Sequence, residues 1–303
     1  MMTIMDRSIS YQINGLEKPQ KISGFLKEKG YSRQNLVDLR KDEQAICLNG
    51  TYVHMNHMLA EGDVLTVWIR ETENSRQIRP VKLPFSIVYE DEDLLVINKP
   101  AGMPVHPSRG NPENSLGNAL AWYFKEQGVP FVFRCINRLD RDTTGALILA
   151  KNPLSAAILS VQMKKRQILR TYLALVDGLL PDSGTINAPI ARMEGSVITR
   201  EVNFETGESA ITHYERLAAG KEYSLAELHL ETGRTHQIRV HMKYIGHPLP
   251  GDYLYNPDYR RINRQPLHSY QLEFTHPITG KVMLFTAPLP IDFISAFYSN
   301  SLK

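Results

Sequence analysis

Arg134-Cys-Ile-Asn-Arg-Leu-Asp-Arg-Asp-Thr-Thr-Gly-Ala-Leu-Ile-Leu-Ala-Lys151 joins two apolar segments through a charged one. Residues 131 to 136 are mostly apolar with a β-branched bias, which predicts a strand. Ala146 to Ala150 is a continuous apolar run of strand length, the pattern of a strand covered on both faces. Between them residues 137 to 145, dense in charge and closed by Gly145, read as a loop. Asp140, Asp142, Arg138 and Arg141 are thereby presented on a short loop between core strands, a common placement for groups that do chemistry. The residues alone admit a plainer reading: Asp and Thr before Gly form turns, and alternating Arg and Asp often make a solvated ion-pair ladder.

Working outward, the whole chain bounds the class. Its 303 residues exceed a single small domain and suffice for a sizeable core. A net charge of +3 does not announce nucleic acid, so any such site must be a local patch. Cys47 and Cys135 are far apart with no CxxC spacing, which argues against a disulfide framework or structural zinc and fits a reducing cytoplasm. The opening Met1-Met-Thr-Ile-Met-Asp-Arg lacks the basic-then-apolar layout of a signal peptide, and no apolar run is long enough to span a bilayer. The expectation is a cytoplasmic monomer without membrane attachment.

Three units are expected: a small module at 15–71, a linker at 72–84 containing Pro80, and a second domain at 85–303. In the module, Ile22, Phe25 and Leu26 lie at helical spacing before Gly30, and Ser32 caps a second helix whose apolar side is Leu36, Val37 and Leu39. Asn49-Gly50 between β-formers marks a hairpin, and Val64 to Ile69 a further strand. Lys27, Lys29, Arg33, Arg40 and Lys41 cluster on or beside the helices and could contact phosphates, although Glu28, Asp38, Asp42 and Glu43 are interspersed.

In the second domain, 85–98 reads as a hairpin around an acidic turn, followed by irregular Lys99-Pro-Ala-Gly-Met-Pro-Val-His-Pro107. Ser115 to Gly128 fits a helix with Leu116, Ala119, Leu120, Tyr123 and Phe124 inward. Asn152 caps another, with Pro153 at its first position and Leu154, Ala157, Ile158 and Val161 as its apolar side. In the strand 168–178, alternation puts Arg170, Tyr172, Ala174 and Val176 on one face and Thr171, Leu173 and Leu175 on the other. Leu230-Glu-Thr-Gly-Arg-Thr-His-Gln-Ile-Arg-Val-His-Met-Lys-Tyr-Ile-Gly246 predicts a helix capped by Thr235 and ended by Gly246. Its narrow apolar stripe is Ile238, Met242 and Ile245, with Arg239 at the border about 100 degrees from Ile238. His236 and His241 do not read as metal ligands, because five residues apart puts them about 140 degrees apart on a helix. The segment 267–288 reads as a hairpin turning at His276-Pro-Ile-Thr-Gly280.

The loop Asn137-Arg-Leu-Asp-Arg-Asp-Thr-Thr-Gly145 resembles the motif of the RluA/RluD family of pseudouridine synthases, with Asn137 and Thr144 where His and Ser are usual. Tyr172 and the segment 230–246 resemble the family's second and third motifs, in the family's order, and the likeness covers nearly the full chain. The N-terminal helices and small sheet resemble an α-L RNA-binding module. The resemblance implies an α+β fold, in which a mixed, largely antiparallel sheet with flanking helices carries the site. It also implies isomerisation of uridine to pseudouridine in structured RNA, large-subunit ribosomal RNA above all. Asp140 would be the catalytic carboxylate, Arg239 its ion-pair partner and Tyr172 the ring against the base. Arg138 would fill the gap left by the uridine, and Arg234 is the alternative partner for Asp140. The reaction needs no cofactor, and no Gly-rich phosphate loop or metal constellation is present in the sequence. Two other classes remain: a silent RNA-binding or ribosome-assembly factor, and a retaining glycoside hydrolase, for which Asp142 is the nearest second carboxylate.

Overall fold

The computed structural model describes residues 5–16 and 18–301, so Met1 to Ile4 of the opening segment lie outside the described residues. Nine strands form the main sheet, in the order Ser183–Asn187, Ile211–Ala219, Tyr223–Leu230, Leu169–Asp177, Leu267–Thr275, Thr144–Ala150, Leu94–Lys99, Ser86–Glu90, with Val282–Thr286 also paired to Leu267–Thr275. Every pairing is antiparallel except that between Leu267–Thr275 and Thr144–Ala150. The expected α+β class with a mixed, largely antiparallel sheet is therefore what the chain adopts.

The parallel contact is short: only His268 opposite Thr144 and Ser269 opposite Gly145. It is the seam between the two halves of the sheet, and the charged loop enters the core there. Gly145 has φ of +109°, and a Cβ on it would lie 2.2 Å from the Ser269 carbonyl oxygen. Only glycine permits that approach. Thr144–Ala150 is buried at every position, as its unbroken apolar run predicts.

The expected strand at 131–136 is reduced to an isolated bridge between Cys135 and Leu149. Its backbone is divided between two partners: Ile136 N–H donates to the Ile148 carbonyl, while Phe131 and Phe133 N–H donate to Asn74 and Ser75 of the polar connector. Helix Pro153–Lys164 has the Asn152 cap and first-position proline expected, but its buried side is Leu154, Ser155, Leu159 and Gln162. Val161 is exposed. The helix faces buried Asp93, to which Ser155 and Asn152 donate, and this polar anchor turns it away from the apolar stripe.

A second, four-stranded sheet runs Met5–Gln12, Val64–Glu71, Ile46–Leu48, Thr51–Tyr52, with helices Ile22–Glu28 and Arg33–Arg40 upon it. Its first strand lies before residue 15, where the sequence reading began the module. Leu154 joins the core of this unit, and the Arg7 fork reaches Asp93 at 2.9 and 3.0 Å.

Gly145→Ala should lower stability by roughly 2–4 kcal/mol, through left-handed strain and overpacking against the seam. Gly110→Ala, with open space around it, should change stability by less than about 0.5 kcal/mol. Equilibrium urea unfolding measures both.

Candidate active site

Asp140 lies in the loop just before the seam, its side chain 26% exposed. The loop is pinned from behind. Asn137 is buried, accepting from Ile148 N–H at 2.8 Å. Thr144 Oγ1 lies 2.8 Å from Nδ1 of buried His268, whose Nε2 faces the Ala287 carbonyl at 3.1 Å. A carbonyl only accepts, so Nε2 carries the proton and Nδ1 accepts from the threonine. Burial pushes the His268 pKa down to about 4, so the ring stays neutral.

Two buried cations hold the loop's backbone. Lys99 is fully buried and its Nζ donates to the carbonyls of Pro100, Met103 and Arg141 at 2.7, 2.8 and 2.9 Å. Desolvation pulls its pKa down to about 7, against the opposing pull of the Asp142 and Asp140 charges. Arg264 Nη1 donates to the Asp142 carbonyl at 3.1 Å, while its Nε and Nη2 grip Asp292 of the C-terminal helix.

Arg239 comes from helix Gln237–Tyr244 and is 1% exposed, deeper than a border position on the apolar stripe suggests. The reason is a second acid that the sequence reading did not identify. Asp252, fully buried, accepts from Nε and Nη2 of Arg239 at 2.7 Å each. Nη1 is left to donate to Asp140 Oδ2 at 2.8 Å. Tyr255 and Tyr253 lie against the guanidinium, 5.0 and 5.6 Å from its carbon to the ring centroids. Arg234, the alternative partner, pairs instead with Glu208 and the Ser209 carbonyl.

Thr235 does not cap the helix. His236 occupies that position in the left-handed region, φ 58°, with no side-chain cap. Gln237 folds back instead, accepting from Arg234 N–H and Thr232 Oγ1 and donating to the Ile211 carbonyl. The Tyr255 hydroxyl accepts from Arg200 N–H and lies 2.9 Å from His236 Nδ1, which orients the ring. His236 Nε2 is turned to the Asp140 side, 3.9 Å from Oδ1. Burial lowers the His236 pKa. Gly246 ends the helix as expected, with His247 N–H closing on the Met242 carbonyl. His241 diverges from His236, with its ring nitrogens on Thr212 and the Ala188 carbonyl.

Asp140 opens into a cleft of about 1200 Å³ that Tyr172, Arg138, Arg170, Arg234 and His236 also line. Asp140, Tyr172, Arg138 and Arg239 share a narrower niche at its base. Tyr172 is 5% exposed, and its hydroxyl makes no hydrogen bond among the described residues, unlike a typical core tyrosine. Its strand follows the expected alternation beyond Tyr172, with Ala174 and Val176 in one core and Leu173 and Leu175 in another. Near its start the register with Leu267–Thr275 shifts between Thr171 and Tyr172, passing over Tyr270 of that strand, and Leu169 to Tyr172 all line the cleft. Asp142 is turned to the Arg141 guanidinium at 2.8 Å. Lys27, Lys29, Arg33, Arg40 and Lys41 are all exposed on the N-terminal unit; none of them lines this cleft. Lys41 is paired to Asp38 at 2.8 Å, and Lys29 lies over the Phe25 ring.

The chain is similar to known proteins over this whole arrangement. The family model described as RNA pseudouridylate synthase matches residues 93–244. The uncharacterized RNA pseudouridine synthase YjbO of Bacillus subtilis (strain 168) is 40% identical over 272 residues, 89% of this chain and 96% of that one. Ribosomal large subunit pseudouridine synthase D of Pasteurella multocida (strain Pm70) is 36% identical over 278 residues, 87% of this chain and 85% of that one. Human RNA pseudouridylate synthase domain containing 1 superposes with a TM-score of 0.56 at 26% identity, covering 72% of this chain and 96% of that one.

Asp252→Ala should cost about 3 kcal/mol or more in urea unfolding, because a buried guanidinium loses its bidentate acid. The double change Asp252→Leu with Arg239→Met, which removes both charges, should cost less than the single one. Lys99 gives a pH signature. Its folded pKa of about 7 lies below the ordinary 10.5, so across that window the unfolded chain binds the extra proton and stability rises with pH. Below pH 7 both states are protonated and the burial cost is constant. Lys99→Met should flatten the rise in unfolding midpoint between pH 7 and 10.

Proposed function

We propose, starting from the fact that the chain belongs to the RNA pseudouridylate synthase family, that its substrate is a structured RNA, with specific uridines of large-subunit ribosomal RNA as the targets. Pseudouridine formation is an isomerisation. The bond from the ribose anomeric carbon to the base nitrogen breaks, the base turns, and a bond to a base carbon replaces it. The carbon gives up a proton and the nitrogen gains one, with no net redox change and no external group.

The observation that carries the residue assignment is the Asp252–Arg239–Asp140 array at the base of a large cleft. Asp140 supplies the carboxylate at the sugar, either bonding to the anomeric carbon or acting as the essential anion of an elimination. Oδ2 is engaged by Arg239, and Oδ1 remains toward the cleft. A neighbouring guanidinium favours the charged form of a carboxylate and offsets desolvation. Tyr172 stacks on the base in the shared niche, and Arg138, exposed beside it, occupies the space that the uridine vacates. The cleft exceeds the volume that encloses a drug-sized ligand, as a polymer segment requires, and the target base must leave its stack to reach the niche.

The N-terminal unit is the second RNA contact in this proposal. Lys27, Lys29, Arg33, Arg40 and Lys41 meet phosphates there and add affinity without reading sequence. The relatives named as ribosomal large subunit pseudouridine synthase D favour ribosomal RNA as the substrate. Among the described residues no helix is long and apolar enough to cross a membrane. We place the protein in the cytoplasm with its RNA, acting as a monomer without a metal or cofactor.

Pseudouridine mapping of ribosomal RNA, with and without this protein, is the test. At least one position should lose its modification without the chain and regain it with the wild type but not with Asp140→Asn. Arg239→Lys, which loses the bidentate fork held by Asp252, should lower turnover about 100-fold by displacing the pair. Full activity of Asp140→Asn would remove the assignment.

A further inference from the structure

We infer that Arg170 binds an RNA phosphate beside the target uridine, an assignment that rests on the cleft being the RNA site. The cleft wall carries several cations, and they are not equivalent. Arg166 is paired with Glu231 at 3.2 Å, and Arg234 is paired with Glu208. Arg170 has no carboxylate within 4.0 Å among the described residues. Its guanidinium has five N–H donors, yet it makes one long bond, from Nη2 to the Thr232 carbonyl at 3.5 Å. Its Nε is buried with no partner among the described residues. Unsatisfied buried donors are uncommon in folded proteins, and each calls for an explanation.

The local structure holds this under-bonded group in place. Arg170 and Tyr172 are two positions apart on the strand Leu169–Asp177, which puts them on one face, and both line the cleft, so Arg170 is aimed at the same space as Tyr172. The two are about 7 Å apart along the strand, so a nucleotide stacked on Tyr172 brings its own backbone to the guanidinium. Gly233 lies over it: a Cβ there would be 3.4 Å from Nη1, so a larger residue at 233 would press on the fork. Lys164, on the same wall, adds to the positive field without an ion pair of its own among the described residues. A planar fork with spare donors, partly withdrawn from water, matches the paired oxygens of a phosphodiester.

The test is binding of a fluorescein-labelled, uridine-containing RNA hairpin to full-length protein at several salt concentrations, beside turnover on the same RNA. Arg170→Gln should weaken binding about 10-fold and reduce the slope of log K against log salt by about 0.7 to 1. KM should rise while kcat at saturating RNA stays within about 2-fold. Arg170→Lys, which keeps the charge, should restore the slope but only part of the affinity. Arg76→Gln, on the polar connector and 85% exposed, should behave as wild type. Unchanged affinity and slope in Arg170→Gln would overturn the assignment. So would a fall in kcat with KM unchanged, which would mean that Arg170 only supports Tyr172. Binding is read without turnover, so a wild type that binds the hairpin but forms no pseudouridine in any RNA would sink the proposed function and leave this contact standing.

Discussion

One guanidinium withdrawn from water and shared by two carboxylates constrains the rest of the site. A lone buried charge is too costly to keep, so Arg239 can sit at 1% exposure only because acids meet it. The two acids differ in kind. Asp252 is as buried as the arginine and takes two of its N–H groups in one plane, which fixes the fork's rotation. Asp140 takes the remaining edge and keeps an oxygen toward the cleft. The helix at 237–244, the turn holding Asp252 and the loop holding Asp140 must therefore converge on one point.

The sheet makes that convergence possible. Its two halves meet through two residue pairs, and the loop enters at the place where they part. Gly145 allows the close approach, and buried cations then take hold of the backbone on the far side of Asp140. Lys99 binds the carbonyl of Arg141 and Arg264 that of Asp142, so consecutive peptide oxygens after Asp140 are each tied to a buried basic side chain. Cations used in this way contribute rigidity rather than chemistry, and Arg264 also secures the C-terminal helix through Asp292. The N-terminal unit docks by similar means, with Arg7 on Asp93 and Leu154 entering its core.

The cleft wall shows the opposite use of charge. Where arginines face acids the structure is satisfied within itself, and where they do not, capacity remains for a ligand. Arg170 and Arg138 are of the second kind, lining the cleft with a tyrosine whose hydroxyl makes no hydrogen bond among the described residues. Five lysines and arginines line the cleft against three carboxylates, a local excess that the chain-wide charge of +3 does not locate.

Local pattern alone was enough for much of this chain. The unbroken apolar run at 146–150, the Asn49-Gly50 turn, the Asn152-Pro153 helix start and the Gly246 stop depend on neighbours within a few residues, and each is where the residues imply. The motifs likewise placed Asp140, Tyr172 and Arg239 in one cleft. Periodicity could not show that 131–136 would divide its hydrogen bonds, that helix 153–164 would turn toward Asp93, or that Gln237 rather than Thr235 would serve the helix start. Nor could it single out Asp252, an acid in an ordinary-looking Gly-Asp-Tyr turn. Asp140 and Arg239 are 99 positions apart, and nothing along that interval states which acid lies on which edge of the fork. Partner choice among buried charges is settled by distance and desolvation in three dimensions, so the sequence determined the elements and their chemistry, and the tertiary structure alone decided which charges meet.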